Sequence, residues 1–342
     1  MKPNTPLKDI GETMIISYIE QLIYENTEKE SIRDDAFFYP LDKIQKKQSE
    51  EITLVSNSDM LVSTTDVPEQ MESFHMGRKS LIMNLSDLIV KGVNPVGLIL
   101  SFGLPGTMLS DEFDLLMKGI LSYSKTFDLD YIGGDLNETQ EIILNPTVFG
   151  FERKSEIIYR KGMNIGDIIV ANGKFGLTGV GFDILLRQNG SYEDFPKYRK
   201  SLDSVLKPFD LGLEGLILGQ NHFATASIDS SDGLAKSLRE LQFSNPEVGF
   251  KIILDETVIH PEALKYSEEF DIPIEKIVLN AGEEFIHLFS VKSEYIEKAV
   301  DLVERKSGHI FEIGEVVSEC DITIIQENKT HILKSEGYEH FR

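Results

Sequence analysis

Seven aspartates stand where apolar α/β patterning is interrupted by turns or helix edges, and they constrain the fold more than any other feature. They are Asp34, Asp35, Asp59, Asp87, Asp135, Asp229 and Asp232. Two carboxylates brought to roughly 4 Å in a cleft repel by about 4 kcal/mol at an effective dielectric near 20. A fold that gathers them therefore needs cations, and Mg²⁺ prefers a few carboxylates together with substrate phosphates. The pattern predicts a site for metal ions and phosphates.

Length and composition predict two globular domains and exclude several classes of protein. The chain has 342 residues, of which 41% are apolar and 27% charged, enough for two hydrophobic cores. The formal net charge of −23 argues against a nucleic-acid partner, which would need clustered Lys and Arg. Cys320 is the only cysteine, which excludes an intrachain disulfide and a cysteine-based zinc site. Without a signal core or an apolar run near the roughly 20 residues of a membrane span, we expect a cytoplasmic protein with no membrane partner.

Hydrophobic periodicity predicts alternating helices and strands. Helices are predicted at 14–23, 74–91, 110–127, 234–241 and 294–306, with a polar helical stretch at 191–209. Strands are predicted at 52–55, 96–102, 131–132, 142–151, 168–171, 224–228, 250–254, 284–291, 309–317 and 321–325. This order indicates an α/β first half and an α+β second half, joined by a crossing segment at 152–167.

Two local contexts raise specific expectations. Asp87 interrupts a largely apolar helix, so it needs an exposed face or a partner such as a cation. Gly133 and Gly134 precede Asp135, and they allow a ligand to approach the backbone closely. The glycines at 173, 176, 179 and 181 do not form a phosphate-binding Gly-Lys-Ser/Thr loop, so a loop near phosphate and a tight helix contact both stay open.

Several strings, taken in order, resemble the thiamine-monophosphate kinase family of the aminoimidazole ribonucleotide synthetase-like superfamily. They are Asp34-Asp35-Ala36, Asn57 to Val62, Gly77-Arg78-Lys79, Asn84 to Leu88, Gly92 to Pro95, Gly133-Gly134-Asp135, Arg160, Ile228 to Leu234, Gly282-Glu283-Glu284-Phe285 and Gly337 to Phe341. The resemblance implies an ATP- and Mg-binding α/β domain at 1–151, whose sheet pairs across a homodimer. It also implies a ferredoxin-like α+β domain at 152–342, with the active site between the two.

The resemblance also implies a role for each matching position. The Mg²⁺ ligands would be Asp35, Asn57, Ser58, Asp59, Asp87, Asp135, Asp229 and Asp232, among which Asp87, Asp135 and Asp232 would be catalytic. Gly134, Asp135, Arg160 and Ser231 would contact the nucleotide, and Asp66, Glu283 and Tyr338 would contact the substrate. From the residues alone, Asp232 could instead be a helix N-cap, and Tyr338 could be a packing residue of the tail.

The implied activity is ATP-dependent phosphorylation of thiamine monophosphate, with several Mg²⁺ ions and ATP as co-substrate. A phosphate-monoester acceptor, with a second pKa of about 6, is already ionised at neutral pH and needs no strong general base. Charge neutralisation and in-line positioning therefore carry the catalysis, in keeping with many carboxylates and no nucleophile-base pair.

Two alternatives remain open from the sequence. One is another ATP-dependent enzyme of the superfamily, such as aminoimidazole ribonucleotide synthetase. The other is a non-catalytic nucleotide-binding dimer, which only the departures from the family pattern at Arg33 and Glu284 favour. Arg33 stands where the family usually has Gly, Asp66 where it often has His, and Glu284 where it has Asp.

Overall fold

The computed structural model describes residues 37–40, 51–327, 329–334 and 337. The helix predicted at 14–23 lies outside them, as do Asp34, Asp35 and Tyr338. The described chain has a mixed α/β fold, in which helices pack on two β-sheets. Among the described residues, no helix is long and apolar enough to cross a membrane.

The first sheet is built from the strands of the first half. They are β1 (Phe37–Pro40), β2 (Ile52–Asn57), β3 (Leu61–Val62), β4 (Pro95–Leu104), β5 (Asp130–Glu138) and β6 (Ile143–Arg153). Their order is β1-β2-β6-β4-β5, and β3 also pairs with β6. Among the described residues of this half, the helices are α1 (Ser63–Asp66), α2 (Ser73–Val90) and α3 (Ser110–Thr126). Strand β4 is parallel to β5, and α3 lies in the crossover that a parallel pair requires.

Alternation along the strands gives the first sheet two unlike faces. Leu98 and Leu100 of β4 and Val148 of β6 are fully buried against the helices. On the opposite face, Ile99 and Phe151 stay 38% and 43% exposed. Successive side chains of a strand point to opposite faces, so this division follows directly from the sequence alternation.

The second sheet contains the strands of the second half. They are β7 (Ile168–Ala171), β8 (Ala224–Ser230), β9 (Gly249–Ile253), β10 (Ile286–Val291), β11 (Phe311–Val317), β12 (Ile322–Gln326) and β13 (Lys329–Ile332). Their order is β13-β12-β9-β11-β7-β10-β8. The helices are α4 (Leu177–Phe182), α5 (Arg199–Leu206), α6 (Glu214–Gln220), α7 (Leu234–Ser244), α8 (Pro261–Phe270), α9 (Ile274–Leu279) and α10 (Ile296–Arg305). A π-helical turn, Asp183–Arg187, follows α4, and short 3-10 turns precede α5 and α10.

Helix α2 links the two halves. A Cβ added at Gly77 would lie 2.2 Å from the Leu116 carbonyl oxygen of α3, and one at Gly215 would lie 1.9 Å from the Ile89 oxygen. Glycine thus permits backbone-to-backbone contact of α2 with a helix from each half. Residues Met76 to Val90 of α2 are almost all buried, so any polar side chain among them needs a partner.

Most predicted elements are present, with boundaries shifted by a few residues. The glycine-rich stretch contains α4, where a Cβ at Gly179 would lie 2.3 Å from the Ile277 oxygen. The tight-contact alternative for this stretch is therefore confirmed. Gly133 and Gly134 lie inside β5 rather than after a strand, and helices α8 and α9 were not predicted. The last strand of the first sheet ends at Arg153, and the first strand of the second sheet begins at Ile168. The division into two domains between residues 151 and 152 stays a prediction.

Candidate active site

Asp87 meets another predicted metal ligand through a shared amide. It lies on the buried helix α2 and is 8% exposed. The Asn57 Nδ2 group, at the end of β2, donates to Asp87 Oδ2 at 2.5 Å and to Asp59 Oδ2 at 3.0 Å. Two carboxylates of the predicted set therefore converge on one side-chain amide. The strand end and the helix interior are both needed to build this arrangement.

Asn84 fixes the backbone of Asp59. Its Oδ1 accepts from the Asp59 amide at 2.7 Å, and its Nδ2 donates to the Asp59 carbonyl at 3.0 Å. Asn84 is fully buried one turn before Asp87 on α2. The residue was quoted in the family string but was given no role from the sequence. Its spacing of three residues from Asp87 is the signal that places both on one helix face.

Ser86 joins this cluster to the second half of the chain. Its Oγ donates to Asp229 Oδ2 of β8 at 2.8 Å and lies 3.3 Å from His287 Nε2 of β10. Ser86 and His287 are fully buried, and Asp229 is 3% exposed. The hydrogen bond thus ties Asp229 to the residue next to Asp87, although the two aspartates are 142 positions apart in the chain. Ser86 lies in one of the family strings but has no predicted role, and His287 lies in none of them.

Asp135 lies in β5 on the sheet face that the helices leave uncovered, whereas Asp87 belongs to the helix that packs on the covered face. Asp135 is exposed opposite Ser101, which pairs with Asn145 of β6. Ser58 Oγ contacts Asn145 Oδ1 at 3.3 Å. Since paired strands lie about 4.8 Å apart, Asp135 stands roughly 10 Å from Asn145 along the sheet. Gly134 is required here, because a Cβ would lie 1.8 Å from the Leu100 carbonyl oxygen.

The structure pairs Asp232 and Arg160 with side chains of α7. Asp232 Oδ2 contacts Lys236 Nζ at 2.9 Å, and Arg160 Nη1 contacts Glu240 Oε2 at 3.2 Å. The N-cap of α7 is Gly233, and no side chain makes a cap hydrogen bond. The N-cap alternative for Asp232 is therefore wrong. The predicted metal role of Asp232 and nucleotide role of Arg160 stay predictions.

The predicted substrate residues meet at Lys79. Its Nζ donates to the Asp66 carbonyl and to Glu283 Oε2, the latter at 2.6 Å. The Asp66 carboxylate itself accepts from the Val62 amide at 2.7 Å. Glu283 donates its amide to the Ser231 carbonyl at 2.6 Å, which ties it to the aspartate-bearing loop after β8.

A cavity of about 660 Å³ opens beside Glu283. Its lining includes Lys174, Lys200, Phe209, Glu284 and Phe285. Such a volume suits a small ligand. Because Asp210, Glu214 and Glu283 also line the cavity, its two aromatic rings stand beside acidic groups and suit a cationic heterocyclic ring. Phe209 lines this cavity and is 53% exposed.

Glu284 presents a buried carboxyl group at the same cavity. Its Oε1 accepts from the Gly176 amide at 2.7 Å. Its Oε2 is buried without a hydrogen-bond partner in the described part of the chain, although the residue as a whole is half-buried. Burial raises the pKa of this carboxyl to about 8, and backbone hydrogen bonds from 176–178 oppose the rise. Glu284 therefore carries a proton at neutral pH.

The donor set suits a magnesium ion that also binds substrate phosphates. Within residues 51–327 and 329–334, no three acidic, His or Cys side chains lie close enough together to hold a metal ion by themselves. Asp59 and Asp87 accept from the same Asn57 amide group, and Asp229 accepts from Ser86, the residue before Asp87. Mg²⁺ is commonly held by one or two carboxylates and completed by phosphates and water, so this open arrangement fits it.

Comparison with known proteins identifies the class. Residues 33–151 match the family model of AIR synthase related protein, N-terminal domain. In fold, the chain is similar to the solved structure of AaThiL complexed with AMPPCP and TMP, with a TM-score of 0.79 at 22% identity over 99% of this chain and 100% of that one. The first half of the chain is therefore similar to AIR synthase related proteins, and the chain shares the fold of AaThiL.

Sequence comparison narrows the class to one family. The thiamine-monophosphate kinase of Pyrococcus horikoshii is 30% identical over 328 residues, covering 95% of this chain and 96% of that protein. The thiamine-monophosphate kinase of Nitrosopumilus maritimus is 28% identical over 308 residues, covering 88% and 95%. The chain belongs to the thiamine-monophosphate kinase family.

Proposed function

We propose that the protein transfers the γ-phosphoryl group of ATP to thiamine monophosphate and forms thiamine diphosphate. The observation that carries this function is the hydrogen bond from Ser86 to Asp229, which ties the helix that bears Asp87 to a strand of the second half. The names of the curated relatives support it. AaThiL, similar in fold, binds an ATP analogue and TMP.

The residues of the chain act by positioning and by electrostatics. Asn57 and Asn84 hold the carboxylate of Asp87 and the backbone of Asp59 in fixed places before substrate arrives. We assign Asp59, Asp87 and Asp229 as Mg²⁺ ligands, with Asp35, Asn57, Ser58, Asp135 and Asp232 completing the set. Bound Mg²⁺ would neutralise the phosphate oxygens of both anionic reactants. Gly134, Asp135, Arg160 and Ser231 are proposed to contact the nucleotide.

The cavity beside Glu283 is the proposed place for the thiamine end of the substrate. Glu283 lines it directly, whereas the Asp66 carboxylate bonds to Val62, so Asp66 acts there through its backbone. Tyr338 is proposed to complete the pocket. Phe209 stands on the loop between α5 and α6, where Asp210 binds Arg78 at 2.5 Å and the Leu211 amide donates to Tyr123 Oη at 2.8 Å.

We expect Phe209→Ala to raise KM for thiamine monophosphate about tenfold and to leave KM for ATP within about twofold. The reason is the loss of an aromatic face for the cationic thiazolium ring, in a loop that its neighbours hold in place. Steady-state kinetics with each substrate varied in turn measures both constants. Phe243→Ala, which removes a ring that is 64% exposed on α7, is the matched control. Equal effects of the two variants would contradict the assignment of the cavity.

The experiment that tests the function is product analysis. Purified protein with ATP, Mg²⁺ and thiamine monophosphate should yield ADP and thiamine diphosphate in equal amounts. The substrate of aminoimidazole ribonucleotide synthetase should give no ADP above background. Turnover of that substrate alone would support the superfamily alternative. Nucleotide binding without any ADP formation would support the non-catalytic dimer.

A homodimer formed through the first sheet is part of the proposal. Ile52, Leu54, Ile99, Phe149 and Phe151 share the face that the helices do not cover, and two of them are more than a third exposed. An apolar sheet face of this kind is typical of a protein interface. Sedimentation velocity should give twice the chain mass of 38.6 kDa. A monomer at micromolar concentration would contradict the dimer.

The remaining parts of the proposal concern organisation and location. We propose that residues 1–151 form the ATP- and Mg-binding domain and that 152–342 form a ferredoxin-like α+β domain. The support is that the two sheets divide between Arg153 and Ile168. We also propose a cytoplasmic location, in keeping with ATP as co-substrate and with the exposed free thiol of Cys320.

A further inference from the structure

Lys79 is a fully buried cation that connects the two halves of the chain. It lies on α2 and is 1% exposed. A buried ammonium group is costly unless it is paired and hydrogen-bonded. Lys79 meets this requirement with Glu283 Oε2 at 2.6 Å and with the carbonyl of Asp66. The two partners are 217 positions apart, so the contact is a property of the folded site and not of local sequence.

The Glu283 loop needs such an anchor. Glu283 has φ +62 and Phe285 has φ +49, so two non-glycine residues of this short loop adopt the left-handed conformation. Such residues cost energy and persist where surrounding contacts hold them. Two contacts hold Glu283: the Lys79 ammonium at its carboxylate and the Ser231 carbonyl at its amide. The first contact comes from the helix of Asp87, and the second from the loop after Asp229.

We propose that Lys79 is a positioning residue for the substrate. Its ammonium group holds the Glu283 carboxylate at the wall of the cavity and fixes that wall relative to Asp59, Asp87 and Asp229. The inference rests on the proposed function. Asn84 and Asp87 lie on the same helix as Lys79. Helix α2 therefore carries both the residue that holds Glu283 at the cavity and the residues proposed to organise the metal site. The distance between the thiamine end and the phosphate end of the site is then fixed by one rigid element.

The test is a comparison of Lys79→Met with Lys91→Met. Lys91 is also fully buried at the end of α2 and also reaches the second half, through Nζ to the Ser227 carbonyl at 2.8 Å, but it does not contact Glu283. We expect K79M to raise KM for thiamine monophosphate about 30-fold and to lower kcat about tenfold. KM for ATP should stay within about twofold. K91M should lower the melting temperature without the change in KM.

A double-variant cycle separates positioning from simple stabilisation. If Lys79 acts through Glu283, K79M combined with Glu283→Ala should raise KM for thiamine monophosphate no further than E283A alone. The inference would be overturned if the two substitutions had multiplicative effects on KM for thiamine monophosphate. A K79M protein with a normal KM and a reduced melting temperature would overturn it as well. Should K79M not fold, Lys79→Gln, which keeps a donor toward Asp66, carries the same expectation. A wild-type protein that forms no thiamine diphosphate would reject the proposed function, a result that is distinguishable from normal kinetics in K79M.

Discussion

Asp87→Asn is expected to lower kcat by about 10³-fold while the protein keeps its fold. A metal-binding carboxylate contributes several kcal/mol to neutralising charge in phosphoryl transfer, and about 4 kcal/mol corresponds to this factor. Asparagine has nearly the same shape, and its Oδ1 still accepts the Asn57 amide that Asp87 accepts at 2.5 Å. The measurement is kcat for ADP release, together with the thermal unfolding midpoint.

Asp301→Asn is the matched control for this variant. Asp301 lies on α10, is 58% exposed, and contacts Arg305 Nη2 at 2.7 Å. The same chemical change there should alter kcat by less than about twofold, because an exposed ion pair contributes little. If Asp87→Asn kept more than about a tenth of the wild-type rate, Asp87 would not belong to the catalytic cluster.

Glu284→Gln is expected to remove a pH dependence of stability. Burial raises the folded-state pKa of Glu284 to about 8, from the ordinary glutamate value of 4.5. The group is neutral in the folded protein and ionised in the unfolded chain between these values, so folding takes up a proton. Its contribution is fully present below the unfolded pKa and falls by about 1.4 kcal/mol per pH unit as pH rises toward the folded pKa.

The free energy of unfolding of the wild type minus that of Glu284→Gln should therefore fall from pH 5 to pH 8, by on the order of 3 kcal/mol. Urea denaturation at fixed pH values measures this difference. Glu297→Gln, at an exposed position on α10, should give a curve parallel to the wild type. If the Glu284→Gln curve were also parallel, the carboxyl group would be ionised in the folded protein.

Sequence alone could predict much of the fold, for identifiable reasons. Strong periodicity located α2, β4 and most strands of the second sheet, because burial on one face imposes a period that the sequence must obey. Helices α8 and α9, which the periodicity does not predict, have only ten and six residues, too few turns for a helical period to stand out from the flanking segments. The glycine-rich stretch hid α4, since its glycines serve close packing against Ile277 and Ser201 rather than a phosphate loop.

The candidate site could be predicted in its acidic groups but not in their supports. A carboxylate in an apolar context is conspicuous, so Asp59, Asp87 and Asp229 were named from the sequence. Lys79 and Ser86 act across more than 140 positions, and nothing local distinguishes them from other polar residues of a helix. Only the pairing of the two halves reveals that these groups hold the site together.

We propose that acidic side chains from both halves hold one assembly of metal ions and phosphates. A crystal structure with Mg²⁺, a non-hydrolysable ATP analogue and thiamine monophosphate tests it most directly. We expect Mg²⁺ at about 2.1 Å from an Asp87 oxygen. Asp59 and Asp229 should bind the same assembly of metal ions and phosphates, and the thiamine rings should lie beside Glu283. Nucleotide and thiamine monophosphate in separate places, or metal ions held by carboxylates of only one half, would contradict it.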